Sequence, residues 1–308
     1  LWNAGEQGDL TGVRDEIAVA KCQCTGGTAD TTAVVINGWI TSATQYIKIW
    51  TDPAESYRHN GTYPTGNKYA LSTGSSSPIT VMEDYVYILG LAISQTGGAD
   101  GINVQGSYFQ LGYSIVRTVS STGSEAIYSN TAGAAEYGKI FNNIFYDHAN
   151  SAVWIRSSQL GWVFYNNTIV NCDIGLRNDC VAGEYPLAKN NIFKDCTTGA
   201  TGTWVAGTDY NATDDASIGY TVTGEGNTHD HVSHTFTFAG AADFHLSSVD
   251  VGAKDLGVSD PGSGLFSDDI DGETRTGSWD IGADEYVAAV SAISISVSET
   301  LNLAEALD

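Results

Sequence analysis

Three asparagine pairs, in Asn142-Asn143-Ile144-Phe145, Asn166-Asn167-Thr168-Ile169 and Asn190-Asn191-Ile192-Phe193, recur at intervals of 24 residues. Each is followed by a small residue and an apolar or small one: Ala152-Val153, Gly175-Leu176 and Gly199-Ala200. Two weaker copies precede them. Gly90-Leu91-Ala92-Ile93 leads into Asp100-Gly101-Ile102-Asn103-Val104, and Gly112-Tyr113-Ser114-Ile115-Val116 leads into Glu125-Ala126-Ile127-Tyr128. A short fixed period with several apolar runs and no amphipathic stretch of helix length is the mark of coils that stack, each burying its inner face on the next. Upstream, Ala33-Val34-Val35-Ile36, Tyr46 to Trp50 and Tyr85 to Leu89 read as short strands between Gly, Asn, Asp and Pro turns. The predicted fold is all-β: a right-handed parallel β-helix with N- and C-terminal caps. About seven coils between Ala33 and Val205, at a strand spacing of about 4.8 Å, give a solenoid about 35 Å long.

The paired Asn has a mechanical explanation. An amide placed at the same turn in every coil bonds to the amides above and below, and Asn tolerates the left-handed backbone of tight turns. Solenoid ends need covers, because open strand edges pair with other chains. Residues 1–32 are expected to hold the N-terminal cap and first coil, with a short helix from Asp9 to Ile17. The coils are assigned to 33–205 and a C-terminal cap region to 206–286, where His234 to Phe238 and Asp243 to Leu246 suggest terminal strands. Residues 287–308 are expected to be a linker entering a further module.

The chain has 308 residues, 13 Lys plus Arg and 36 Asp plus Glu, for a formal charge of −23. Phosphate recognition needs clustered cations, so a nucleic-acid partner is excluded. Only 16% of residues are charged and 42% are apolar, with 35 Gly, which is a globular rather than a disordered composition. No run of 18 apolar residues provides a membrane span. The first residues carry neither Met nor a signal pattern. Together with low Lys and abundant Thr, Ser, Gly and Asn, this leads us to expect an extracellular protein whose leader was removed or which is part of a longer chain. Five Cys without paired metal spacing are expected to be mostly packing residues.

The stacked Asn-Asn coils, Thr51-Asp52-Pro53 followed by Tyr57-Arg58-His59-Asn60-Gly61, and the closing Asp271-Gly272-Glu273-Thr274-Arg275 with Asp280-Ile281-Gly282-Ala283-Asp284-Glu285-Tyr286 resemble secreted bacterial and phage β-helix proteins of the pectate-lyase-like superfamily. The resemblance covers most of residues 9 to 286. It implies the fold, but that superfamily spans lyases, hydrolases, epimerases, tailspikes and adhesins. The ordered polygalacturonase-like elements, the lyase base with its calcium, and the epimerase Tyr-Gly-Phe-Asp-Pro-His element find no match. No catalytic residue is therefore carried over.

With Ile102, Ile127, Val153 and Leu176 facing inward on one sheet, the residues after them, Asn103, Tyr128, Trp154 and Arg177, are predicted to stack outward in a column. Aromatic faces pack on sugar rings and an Arg fork holds a carboxylate or sulfate. Tyr128, Trp154, Arg156 and Arg177 are thus the candidate glycan site. Asp147, His148, Asp173, Asp179, Glu184 and Asp195 fall in turns of the same coils, where ordinary acidic turn positions outweigh a catalytic pair. His148, Cys172 and Cys196 are 24 apart and form a predicted ladder. A straight row does not surround a zinc ion, so free buried thiols are expected.

In His229-x-His231-x-x-His234, with His245 nearby, His229 and His231 share a strand face and could chelate a transition metal, but the pattern lacks a supporting shell. Asp268, Asp269, Asp271 and Glu273 are a fragment of a calcium loop without its full spacing, or a capping turn with an Arg275 ion pair. Calcium is the one cofactor suggested. The function expected is a surface or virion module that binds polysaccharide or a cell-surface glycan without catalysis. The alternatives are a polysaccharide lyase or glycoside hydrolase, and a structural spacer associating end to end.

Overall fold

The computed structural model describes residues 8–12, 15–119, 124–129, 136–156, 160–181, 183, 185–224 and 227–288. Within them the chain forms a parallel β-helix with three faces. The first face is a seven-stranded sheet of Ala18–Lys21, Ile47–Trp50, Val86–Leu89, Gln110–Gly112, Lys139–Phe141, Val163–Tyr165 and Leu187–Lys189, all parallel. The second face stacks Leu71–Thr73, Ala92–Gln95, Ile115–Thr118, the start of Ile144–Ile155, the start of Thr168–Asn178, Ile192–Lys194 and Ala212–Thr213. The third stacks Val34–Ile36, Ile79–Val81, Ile102–Val104, Ile127–Ser129, the ends of the same two long strands and Thr198–Thr201.

Register shows where the 24-residue beat holds. Ile144, Thr168 and Ile192 pair in succession, 24 residues apart. Ala92 to Ile115 is 23 residues and Ile115 to Ile144 is 29. Ile47 to Val86 is 39, because residues 51–70 leave the coil before the chain returns at Leu71. Insertions at corners leave the stacking intact, since only strand residues meet their neighbours.

Alternation supplies the core. Ile88, Leu111, Ile140 and Phe164 point inward from the first face, Ile93, Val116, Phe145 and Ile169 from the second, and Ile102, Ile127, Val153 and Leu176 from the third, all essentially without solvent contact. Each such side chain contributes about 1.5 to 3 kcal/mol of burial. Where the two long strands turn from the second face to the third, Asp147 and Asn171 adopt φ of 62° and 52°, and Asp195 does so at 53° in the next coil. Asn and Asp are the non-glycine residues that enter this left-handed region most readily.

The two members of each Asn pair have different tasks. Asn143, Asn167, Asn191 and Asn211 are fully buried and form a ladder. Each Nδ2 donates to the next Oδ1, at 3.0, 2.9 and 2.8 Å. Each Oδ1 also accepts the backbone N–H of the preceding Asn at 3.1 Å. The first members, Asn142, Asn166 and Asn190, have φ of 51°, 51° and 58° and point outward. Their amides grip the C-terminal segment: Asn142 donates to the Asp268 carbonyl, Asn166 to those of Asp280 and Gly282, and Asn190 to that of Val258.

That segment runs along the solenoid. Its hairpin, Phe238–Gly240 with Asp243–Leu246, leads into a turn-rich path. Phe244, Ile270 and Ala283 pack on Ile115, Ile144, Tyr146 and Val170 of the second face. Ile281 and Ala253 pack on Ile192 and Ala212. Phe266 and Trp279 cover Phe141 and Tyr165 of the first face. Arg275 sits at the centre, donating to Asn142 Oδ1 at 2.9 Å, to the carbonyls of Gly282 and Ala283 at 3.0 Å and to Glu285 at 3.2 Å. At Gly282 (φ 98°) a Cβ would lie 2.7 Å from Thr168 Oγ1, so only glycine permits this approach.

The N-terminal helix expected from Asp9 to Ile17 is absent in the described part of that span. Residues 10–12 form a turn beside a single bridge between Asp9 and Ile40, and residues 15–17 run without regular structure into the first strand. Asp9 Oδ1 takes the N–H groups of Thr11 at 2.8 Å and Gly12 at 3.1 Å, making a turn in place of a helical start. Leu10 is buried in the core. No helix among the described residues is long and apolar enough to cross a membrane. Of the tail, residues 289–308 lie outside the described residues.

Candidate functional site

On the third face the outward register runs Val35, Thr80, Asn103, Tyr128, Trp154, Arg177, Thr201. Ile102, Ile127, Val153 and Leu176 beside it are buried, while Asn103, Tyr128, Trp154 and Arg177 are half-buried. Alternation therefore places Asn103, Tyr128, Trp154 and Arg177 on one outer column, with Arg156 just beyond the end of its strand. The Tyr128 and Trp154 rings are tilted at 56° with centroids 5.2 Å apart. The Arg177 guanidinium lies 4.0 Å from the Trp154 ring centre and that of Arg156 5.3 Å from it. Arg156 also donates to the Tyr128 hydroxyl at 2.8 Å.

Asp179 completes this cluster. It accepts from Trp154 Nε1 at 2.8 Å and pairs with Arg177 at 3.1 Å. The C-terminal segment packs on the first and second faces and the corner between them. Among the described residues the third face keeps its outer side.

A buried carboxyl beside the column was not foreseen. Glu125 is 5% exposed, accepts from Asn150 Nδ2 at 2.6 Å, and has its carboxyl raised well above the usual range by burial and then by a hydrogen bond to Asp100. The signal existed: Asp100 and Glu125 each stand two residues before the paired inward Ile102 and Ile127.

The other candidates separate. Asp147, Asp173 and Asp195 line a shallow groove of about 330 Å³ at the corner after the second face, with Asn171 donating to Asp147 at 2.7 Å. Glu184 lies outside the described residues. His148 and Cys172 are paired across adjacent strands, and Cys172 and Cys196 are buried free thiols, as are Cys22 and Cys24 free. Burial pushes the His148 imidazole down to about 4.

His229 is bonded to Asp209 at 2.6 Å, whereas His231 packs against His234 with centroids 4.9 Å apart. The four acidic residues of the 268–273 run do not converge. Asp268 Oδ1 takes the Tyr113 hydroxyl at 2.6 Å. Asp269 Oδ1 caps the turn by accepting from the N–H groups of Asp271, Gly272 and Glu273, and its Oδ2 accepts from that of Glu285. Asp271 instead joins His245 and Asp284. The expected Arg275 ion pair is made with Glu285.

No protein-family model and no curated protein matches the sequence. Among solved structures, the chain is similar to the crystal structure of pectate lyase Pel9A, at 12% identity and a TM-score of 0.38, covering 88% of this chain and 87% of that one. Identity at that level carries no activity across.

Proposed function

We propose that the protein is an extracellular, surface- or virion-associated β-helix module that binds polysaccharide along its third face without breaking it. One observation carries this reading: Tyr128, Trp154 and Arg177 stack in register, with Arg156 beside them, on the face that the described part of the C-terminal segment leaves open. Aromatic and Arg clusters are enriched at recognition sites. Arg177 is already paired with Asp179, so an anionic glycan would have to displace a carboxylate against a net charge of −23. Neutral polymers are the first ligands expected. Trp154→Ala and Arg177→Ala should each weaken binding by about 1 to 3 kcal/mol, with little change in melting temperature. Unchanged affinity in both variants would reduce the column to a sheet surface.

A second reading is glycoside hydrolysis, favoured by Glu125 near the column, whose carboxyl is raised by burial toward the range of a general acid. Its 5% exposure keeps it from a bound glycosidic oxygen unless the corner opens, so binding without turnover ranks first. A reducing-sugar assay, with an absorbance assay for the unsaturated products of a lyase, separates the readings. Turnover abolished by Glu125→Gln would reverse their order.

A further inference from the structure

The C-terminal segment holds a second cluster that the glycan reading does not use. His245, in the strand Asp243–Leu246, faces Asp271 with Nε2 to Oδ2 at 3.4 Å. The ligand atoms of His245, Asp271 and Asp284 all lie within 4.8 Å of one another. Donors that share a small divalent ion at bonds of about 2.1 Å stand about 3 to 4 Å apart, so slight adjustment brings the three onto one centre.

A further feature supports a ligand there, and the neighbouring groups are held in place around it. The far ring nitrogen, Nδ1, is hydrogen-bonded to Asp243, the arrangement by which a carboxylate orients a metal-binding imidazole and fixes its tautomer. Asp284 is 5% exposed, and its Oδ2 accepts from the Leu246 N–H at 2.6 Å, which fixes the carboxylate beside the imidazole. Gly61 packs directly against the imidazole, since a Cβ there would fall 2.2 Å from Nε2, and so holds the ring in place. The neighbouring cation Arg275 directs its hydrogen bonds to Asn142, to backbone carbonyls and to Glu285.

We propose that His245, Asp271 and Asp284 bind a divalent transition-metal ion, with Asp243 as the positioning residue. One imidazole with carboxylates suits zinc or manganese better than calcium or magnesium, which favour all-oxygen shells. The ion would join the hairpin, the 268–274 turn and the final stretch of the C-terminal segment beside Gly61, cross-linking three parts of that segment. This site is independent of glycan binding.

The test is calorimetric titration of the full chain, stripped with a chelator, with zinc chloride or manganese chloride alone. One ion per chain is expected. His245→Ala and Asp284→Asn should weaken it at least 10-fold, Asp243→Asn about 10- to 100-fold, and His231→Ala not at all. Should a variant fold poorly, manganese added to the wild-type protein supplies the second readout: the amide signals of Gly61 and Leu246 should broaden first. An absence of stoichiometric binding, equal binding by the His245 and Asp284 variants, or broadening centred on the Asp147–Asp173–Asp195 groove would each overturn the proposal. The cluster would then be a protonated imidazole held between carboxylates.

Discussion

Replacing Asn167 with Ala cuts the amide ladder at its middle. In the intact protein Asn167 Oδ1 accepts the backbone N–H of Asn143 at 3.1 Å and its Nδ2 at 3.0 Å. Asn167 Nδ2 donates to the Ile140 carbonyl at 3.0 Å and to Asn191 Oδ1 at 2.9 Å. After truncation the Asn143 N–H loses its acceptor and the Ile140 carbonyl loses this donor, in a region without solvent. Asn143 Nδ2 retains the Leu111 carbonyl and Asn191 Oδ1 retains the Asn167 N–H, so those two groups stay satisfied. An unsatisfied buried group costs about 1 to 3 kcal/mol, and the void left by the amide adds to it. The expected loss is about 3 to 5 kcal/mol by urea denaturation, with an outward threonine such as Thr80→Ala as a near-neutral control. A loss below about 1 kcal/mol would mean that the ladder fills space and that its hydrogen bonds are readily replaced.

Other predictions address the cap and the titrating groups. Arg275→Met should destabilise the protein by about 3 to 5 kcal/mol, because Glu285 and the carbonyls it served stay buried; early proteolysis within 227–286 would report it, and resistance equal to wild type would contradict it. His148 is buried, with its imidazole lowered to about 4 from 6.5 by burial. The unfolded chain takes the proton first, so this contribution is full above pH 6.5 and lost as the pH falls through 4, by about 3 kcal/mol. The stability gap between wild type and His148→Asn should accordingly narrow on acidification, and a pH-independent gap would refute the assignment. Glu125 has the opposite sign: its raised folded value makes it stabilising below the ordinary carboxyl range and costly as pH rises. Glu125→Gln should therefore gain on wild type with increasing pH, and a constant difference would show that the carboxyl is ionised in the fold.

What the sequence disclosed follows from which interactions repeat. Ile144, Thr168 and Ile192 lie in direct register, so the Asn pairs before them recur at constant spacing and expose the coil. The outward column was legible because Ile102, Ile127, Val153 and Leu176 keep strict alternation to their neighbours. Upstream, the 39-residue step from Ile47 to Val86 hides the same stacking behind an excursion that includes Arg58, His59 and Gly61. The C-terminal segment has no period, since it is held by single contacts such as Asn142 to the Asp268 carbonyl and Arg275 to Asn142. A pairing 133 residues apart leaves no local pattern. The same holds for His245, Asp271 and Asp284, which come from a strand and two separate stretches after it. Asp9 looked like a helix start because an Asp that caps a helix and one that closes a turn read alike in sequence.

The central claim is that the third-face column is where glycan binds. Its most direct measurement is the indole N–H signal of Trp154, assigned with Trp154→Phe, followed while neutral and uronate oligosaccharides are titrated in. The Trp154 Nε1–H bond to Asp179 makes that signal responsive to anything that docks on the cluster. A saturable shift of Trp154 is expected, while the buried Trp162 and Trp204 stay fixed. An unmoved Trp154 beside a saturable shift elsewhere, for example at the stacked Tyr85, Tyr108 and Tyr137, would contradict it.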